Sequence, residues 1–290
     1  MLKGCAILQK RCKWLLAAAA ALVAVLAIVV LCLFQSAKQG VPVLNYHQIN
    51  DTEKNALTVN TEQFEAQMKY LSENGYTTIT PAEMLDAWEN GTALPEKPVI
   101  ITFDDGYLDN YNHAYPVLEK YQLKATIFLI SDYVGTYPNY VTWSDVQDMN
   151  DSGLIDFESH TLSHEELTKA PSLDEAKHQL AGSKEAIEWN IGDGKPVRFI
   201  AYPCGEYDAD IEQATKDAGY RAAFTVNYGL AEPSENPFIL DRVPIFGSNS
   251  HTLLRFKLRL RLAPVLAPLN RLKMDLRDDH PTLASFILVP

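Results

Sequence analysis

The chain has 290 residues, of which 47% are hydrophobic, 21% charged and 10% aromatic, enough apolar material for a large core and too much for a disordered chain. Its net charge of -12 is uneven: residues 1–34 hold four basic and no acidic side chains, residues 255–290 seven basic and three acidic, and residues 35–254 the remaining 14 basic and 34 acidic. A body that acidic repels polyanions, so nucleic acid is excluded as a partner.

Residues 1–13 carry Lys3, Lys10, Arg11 and Lys13 ahead of an uncharged run of 21 residues, Trp14–Phe34. As a helix that run would span roughly 32 Å, close to the hydrocarbon thickness of a bilayer. The preceding charges predict a cytoplasmic N-terminus, a single-pass anchor over 14–34 and an extracytoplasmic body in the cell membrane. A cleaved signal peptide is the alternative; the run exceeds the usual apolar core of such peptides and lacks a clean cleavage site after it.

From Val41 onward, short apolar runs alternate with helical patterns. The predicted strands are Val41–Leu44, Thr77–Ile79, Val99–Phe103, Ala125–Ile130, Ile155–Glu158, Val197–Ala201, Ala222–Val226 and Ile239–Val243. Helices are predicted near 61–74, 81–89, 109–122, 143–152, 172–191 and 208–218, with N-cap signals at Thr61 and Thr80-Pro81 and C-terminal glycines at Gly75 and Gly219. Seven or eight strand–helix units imply a parallel sheet of α/β class, closed as a barrel, in a catalytic domain over 35–254. Cys204 is the one cysteine in that domain, so no disulfide framework supports it. The basic tail, 255–290, contains Arg255–Arg277 with leucines and two prolines. It reads either as a segment lying on anionic lipid or as a closing helix, and the prolines should interrupt any long helix.

The strand ends carry the chemistry. One stops in Asp104-Asp105-Gly106, another in Ser159-His160-Thr-Leu-Ser-His164, a third in Tyr202-Pro203-Cys204-Gly205, and the first in Asn45-Tyr46-His47. In a barrel these ends share one rim, where such folds place active sites. One helical turn between His160 and His164 would point both imidazoles the same way. With a carboxylate they make a three-ligand site with an open position, the arrangement of catalytic zinc, which cobalt or nickel also accept. Two adjacent carboxylates are costly to bury as ions; one could ligate the metal while the other serves as a base. Trp143 and Tyr202 are candidates for stacking on a sugar ring.

Thr102-Phe-Asp-Asp-Gly106 and His160-Thr-Leu-Ser-His164 resemble the first two motifs of polysaccharide deacetylases, the NodB homology domain. The resemblance covers roughly 41–250 and implies a distorted (β/α)7-type barrel that hydrolyses acetyl groups from amino-sugar polymers. It further implies Asp104 as general base, Asp105, His160 and His164 as ligands of one divalent metal ion, and the Cys204 backbone N–H as an oxyanion donor.

The third motif departs from the family's Arg-x-Pro-x-Gly, because Ala201 stands where the base-orienting arginine is usual, and no final-motif histidine follows Ile239–Ile245. Val41-Pro-Val-Leu-Asn-Tyr-His47 resembles the start of the subgroup acting on poly-β-1,6-N-acetylglucosamine, which also lacks that arginine. On that resemblance His47 is the general acid, with His251 its only rival. The expected activity is metal-dependent removal of N-acetyl groups from an N-acetylglucosamine-containing polysaccharide, in cell wall or exopolysaccharide. The competing reading is a catalytically silent glycan-binding module that keeps the fold, supported by the missing arginine. A glycoside hydrolase fits poorly, since its two carboxylates must face each other across a cleft.

Overall fold

The computed structural model describes residues 40–192, 194–233, 236–247 and 252–279, together with Trp14 and helical residues between 20 and 28. The chain divides into two units, Met1–Gln39 and Gly40–Pro290. In the first, the described residues are helical and exposed. Most of the expected anchor over 14–34 lies outside the described residues, among which no helix is long and apolar enough to cross a membrane.

Among its described residues the second unit has ten strands: β1 (Val43–Tyr46), β2 (Gln48–Ile49), β3 (Thr58–Val59), β4 (Thr77–Thr78), β5 (Pro98–Phe103), β6 (Ala125–Leu129), β7 (Ile155–Ser159), β8 (Phe199–Ala201), β9 (Ala222–Tyr228) and β10 (Leu240–Pro244). Every pairing among them is parallel. The main sheet runs β1-β10-β9-β8-β7-β6-β5-β4, and a further β1–β5 pairing closes it. The closed ring therefore has seven strands, the expected (β/α)7-type barrel. Its distortion is visible at β5, whose first residues pair with β4 and whose last pair with β6. Thr78 Oγ1 accepts from the Lys124 N–H where the two partners meet.

The alternation of strands and helices follows from the sequence. β5 and β6 are nearly continuous apolar runs, as strands covered on both faces require. Val43, Ile100, Phe128, Phe199, Phe224 and Leu240, from six strands of the ring, meet in one buried cluster. The helices between them are α1 (Thr61–Glu73), α2 (Pro81–Asn90), α3 (Tyr115–Tyr121, entered through a π-turn over Asn110–Ala114), α4 (Trp143–Asp151), α5 (Leu173–Ile191) and α6 (Ala209–Asp217). Thr80 and Thr142 close reciprocal capping boxes with Glu83 and Asp145. At α1 the cap is Asn60, not Thr61: its side chain accepts from the Gln63 N–H at 2.8 Å. A short two-stranded sheet, β2 with β3, carries the excursion between β1 and α1.

The tail forms the closing helix that is one of its two readings, but the expected interruption at its prolines is absent. One helix, α7 (Leu253–Asp279), runs through both Pro264 and Pro268. Phe256, Leu260, Ala263 and Ala267 form a buried stripe along it, and Phe256 packs edge-on against Tyr70 of α1 at 6.2 Å. The prolines lie off that stripe, Pro268 exposed and Pro264 half-buried. Packing of an apolar stripe, rather than local propensity, provides most of a helix's stability, and here it outweighs the two missing N–H groups.

Candidate metal-dependent active site

The C-terminal ends of the ring strands converge on two neighbouring carboxylates that are treated in opposite ways. Leaving β5, the backbone turns left-handed at Asp105 (φ 75°) and Gly106 (φ 77°). A Cβ on Gly106 would stand 2.6 Å from Leu129 Cδ2, and its φ is one that L side chains rarely adopt, so glycine is favoured there. Thr161, His164 and Cys204 on the same rim also hold positive φ. Such strain in non-glycine residues persists where the surrounding structure imposes it, commonly at functional sites.

Asp105 faces the histidines. Its Oδ1 lies 3.4 Å from His160 Nε2 and 3.5 Å from His164 Nε2, and that buried oxygen has no hydrogen-bond partner. One ligand atom from each residue falls within a 4.8 Å span, a possible divalent-metal site. Ala201 O accepts from His160 Nδ1 at 2.7 Å. A carbonyl can only accept, so Nδ1 carries the proton and Nε2 presents its lone pair to the cluster. Burial disfavours the imidazolium at His160, but Asp105 beside it outweighs this and raises its pKa. At His164 burial, followed by the His160 charge, lowers it. The donor set thus fits a cation: a partnerless buried oxygen, two ring nitrogens and a net attraction for positive charge. The two imidazoles converge through a loop rather than the expected helical turn, with Thr161 Oγ1 accepting from the His164 N–H at 3.1 Å.

Asp104 is clamped instead. It is 1% exposed. Arg242 of β10 donates through both terminal nitrogens, at 2.8 Å to Oδ1 and 2.7 Å to Oδ2, and Asn45 Nδ2 donates to Oδ2 at 2.7 Å. Arg242 is itself fully buried, its Nε donating to Thr225 O at 2.7 Å. Burial opposes ionisation of Asp104, yet the Arg242 guanidinium holds its carboxyl well below the usual carboxylate range. His47 Nε2 lies 4.0 Å from Asp104 Oδ2. Burial lowers the His47 pKa against the pull of Asp104 and Asp105.

The arginine missing from the third motif is thus supplied from another strand. Ala201 needs no polar side chain, because its carbonyl is what the site uses. The signal for Arg242 was a charged residue inside the short strand Leu240-Asp-Arg-Val-Pro244, which sequence reasoning left without a role; Asn45 stood in plain view before His47. Tyr202 needs correction: it is fully buried, stacks on Tyr207 at 5.7 Å and donates to Thr215 Oγ1, so its ring cannot meet a sugar. Trp143 is half-buried at the start of α4. Near it, Tyr107 stacks on Tyr140 at 5.0 Å, and Tyr137 packs edge-on against Tyr133 with half its own surface exposed. Cys204 is exposed, and burial and nearby carboxylates raise its thiol pKa, which leaves it a poor nucleophile. His251 lies outside the described residues.

The rim of the closed parallel barrel thus carries an aspartate pair, one clamped by Arg242 and Asn45 and one open to two histidines. A family model described as polysaccharide deacetylase matches residues 91–223. A Bacillus subtilis (strain 168) protein that carries the name of a polysaccharide deacetylase, YxkH, is 38% identical over 204 residues, covering 70% of this chain and 71% of its own. The poly-beta-1,6-N-acetyl-D-glucosamine N-deacetylase of Escherichia coli O157:H7 is 26% identical over 82% of this chain, which spans only 41% of that longer relative. Among solved structures, the Streptococcus pyogenes deacetylase PplD, in complex with acetate, has a TM-score of 0.67 and 28% identity over 81% of this chain and 97% of its own. The chain belongs to the polysaccharide deacetylase family.

Proposed function

We propose that the protein removes N-acetyl groups from an N-acetylglucosamine-containing polysaccharide, using one divalent cation held by Asp105, His160 and His164. The observation that carries this reading is the division of labour between neighbouring carboxylates. Asp104 is clamped by Arg242 and Asn45, and Asp105 Oδ1 is left partnerless before two imidazole nitrogens. Zinc suits that ligand set best, and cobalt or nickel are accepted by it. When bound, the cation would supply Lewis acidity and lower the pKa of water at the site.

The chain's own residues account for the proton movements. Water adds to the amide carbonyl, the C–N bond breaks, and acetate and a free amine leave. Asp104, ionised and adjacent, takes the proton of the attacking water, while Arg242 and Asn45 fix the direction of its carboxylate. His47 delivers a proton to the departing amine. The backbone N–H of Cys204, on its left-handed turn, is the oxyanion donor in this reading. The silent-module alternative loses its main support, because Arg242 fills the vacancy on which it rested. The uncharged run Trp14–Phe34 supports an uncleaved anchor with the barrel on the extracytoplasmic side.

The test is acetate release from N-acetylglucosamine oligomers of several linkages, before and after chelation and metal restoration. Release that is lost on chelation, regained with zinc, and abolished in Asp104→Asn is expected. No release on any linkage with metal restored would sink the reading.

A further inference from the structure

Helix α7 has a second apolar face that the barrel does not use. Its buried stripe, Phe256, Leu260, Ala263 and Ala267, is at most 6% exposed. Leu254, Leu258, Leu262, Leu269 and Leu272 are 66%, 47%, 37%, 41% and 48% exposed. At 3.6 residues per turn these five leucines fall within about 80° of arc, directly opposite the buried stripe. Two opposed stripes cancel in any average taken around the helix, which is why the sequence shows no one-sided pattern.

Three of the helix's cations flank the exposed face, while Arg259 turns back onto the barrel and donates to Pro244 O. Residues 253–273 contain six basic and no acidic side chains, within a body that is otherwise strongly acidic. Arg255 and Lys273 border the leucines on one side and Arg261 on the other, by the same helical geometry. Arg255 and Arg261 are exposed, and Arg261 also donates to the Tyr70 hydroxyl of α1 at 3.2 Å. A row of leucines flanked by long cationic side chains, whose stems can lie along apolar surface while their heads reach outward, matches a helix lying in a lipid interface. Chance exposure of single leucines is ordinary; five aligned over five turns on one edge of a folded domain is not.

From this geometry we infer that the exposed edge of α7 seats the catalytic barrel on a bilayer surface carrying anionic headgroups. The occupant is fixed by charge complementarity. An acidic protein surface would be attracted to the same cations, but it would leave the leucines without an apolar environment. A zwitterionic bilayer would accept the leucines and give the cations no preference.

The experiment uses the full chain reconstituted in vesicles, so that the apolar run is accommodated in every sample and only the local position of α7 is read. In a variant whose native cysteines are alanine, Leu258→Cys carries an environment-sensitive fluorophore, and Lys69→Cys on α1 is the control. In phosphatidylglycerol-containing vesicles the label at 258 should shift to the blue and be quenched by brominated lipid, with both effects weaker in pure phosphatidylcholine or high salt. Combined Arg255→Glu and Arg261→Glu should abolish the anionic preference, with acetate release from soluble oligomers unchanged. A label at 258 that stays water-like in anionic vesicles overturns the inference. So does a shift that follows dimer formation, which would make a second copy the occupant.

Discussion

At the scale of single residues, the chemistry turns on Arg242. Its two parallel hydrogen bonds to Asp104 are the strong, directional kind that only a guanidinium makes. Arg242→Met should therefore cut kcat about 100-fold or more, the usual scale for losing a group that orients charge in the transition state. It should also destabilise the fold by about 3–5 kcal/mol, because Asp104 is left as a buried, unpaired carboxylate. Adding Asp104→Asn separates the two effects. The double variant should regain much of the stability, read as the denaturation midpoint, and none of the activity. Equal stability of the single and double variants would show that the pair does not act as a unit. This residue also marks the limit of what the sequence discloses. Asp104, Asp105, His160 and His164 stand in contiguous motifs, and their types alone point to a metal hydrolase. Arg242 sits 138 positions from the carboxylate it holds, and only closure of the barrel makes them neighbours.

At the scale of elements, the strand–helix alternation was legible because parallel strands covered on both faces are unmistakable apolar runs. Boundaries slipped where a side chain or distant packing decided them: Asn60 rather than Thr61 caps α1, and a buried stripe carries α7 through two prolines. A similar side-chain device joins β7 to β8. Their register contains one pair, Ser159 with Ile200, and the pairing is extended by Glu158, whose Oε2 accepts from the N–H groups of Arg198 and Phe199 at 2.7 and 2.8 Å. Burial pushes the Glu158 carboxyl up to about 8 from an ordinary 4.5, against the pull of those two donors. Between these values the folded protein holds a proton that the unfolded chain has released. Stability from this group is thus full below about pH 4.5 and lost as pH rises toward 8. Glu158→Gln keeps an acceptor oxygen and removes the titration. Its melting temperature should match the parent near pH 5 and exceed it near pH 8. Parallel pH profiles for the two proteins would refute the assignment.

At the scale of the whole molecule, the site is a consequence of ring closure. Asn45 comes from β1, Arg242 from β10, and both meet Asp104 beyond β5, whereas the triad ties the β5 turn to the loop after β7 and leans on a carbonyl of β8. No stretch of chain short enough to persist in the unfolded state contains Asp105 and both histidines. A divalent cation at this site should therefore bind the folded barrel almost exclusively and stabilise it by mass action, about 2.7 kcal/mol at a hundredfold excess over Kd. For a domain of this size that is a rise in Tm of about 5–10 °C. The rise should grow with the logarithm of zinc concentration, vanish with chelator, and be absent in His164→Ala, whose ring is the most accessible of the three ligands. Calorimetric melts at several zinc concentrations decide the matter without reference to any substrate. A shift of equal size in His164→Ala would place the stabilising cation elsewhere on the acidic body, and no shift in the parent would remove the metal from the site.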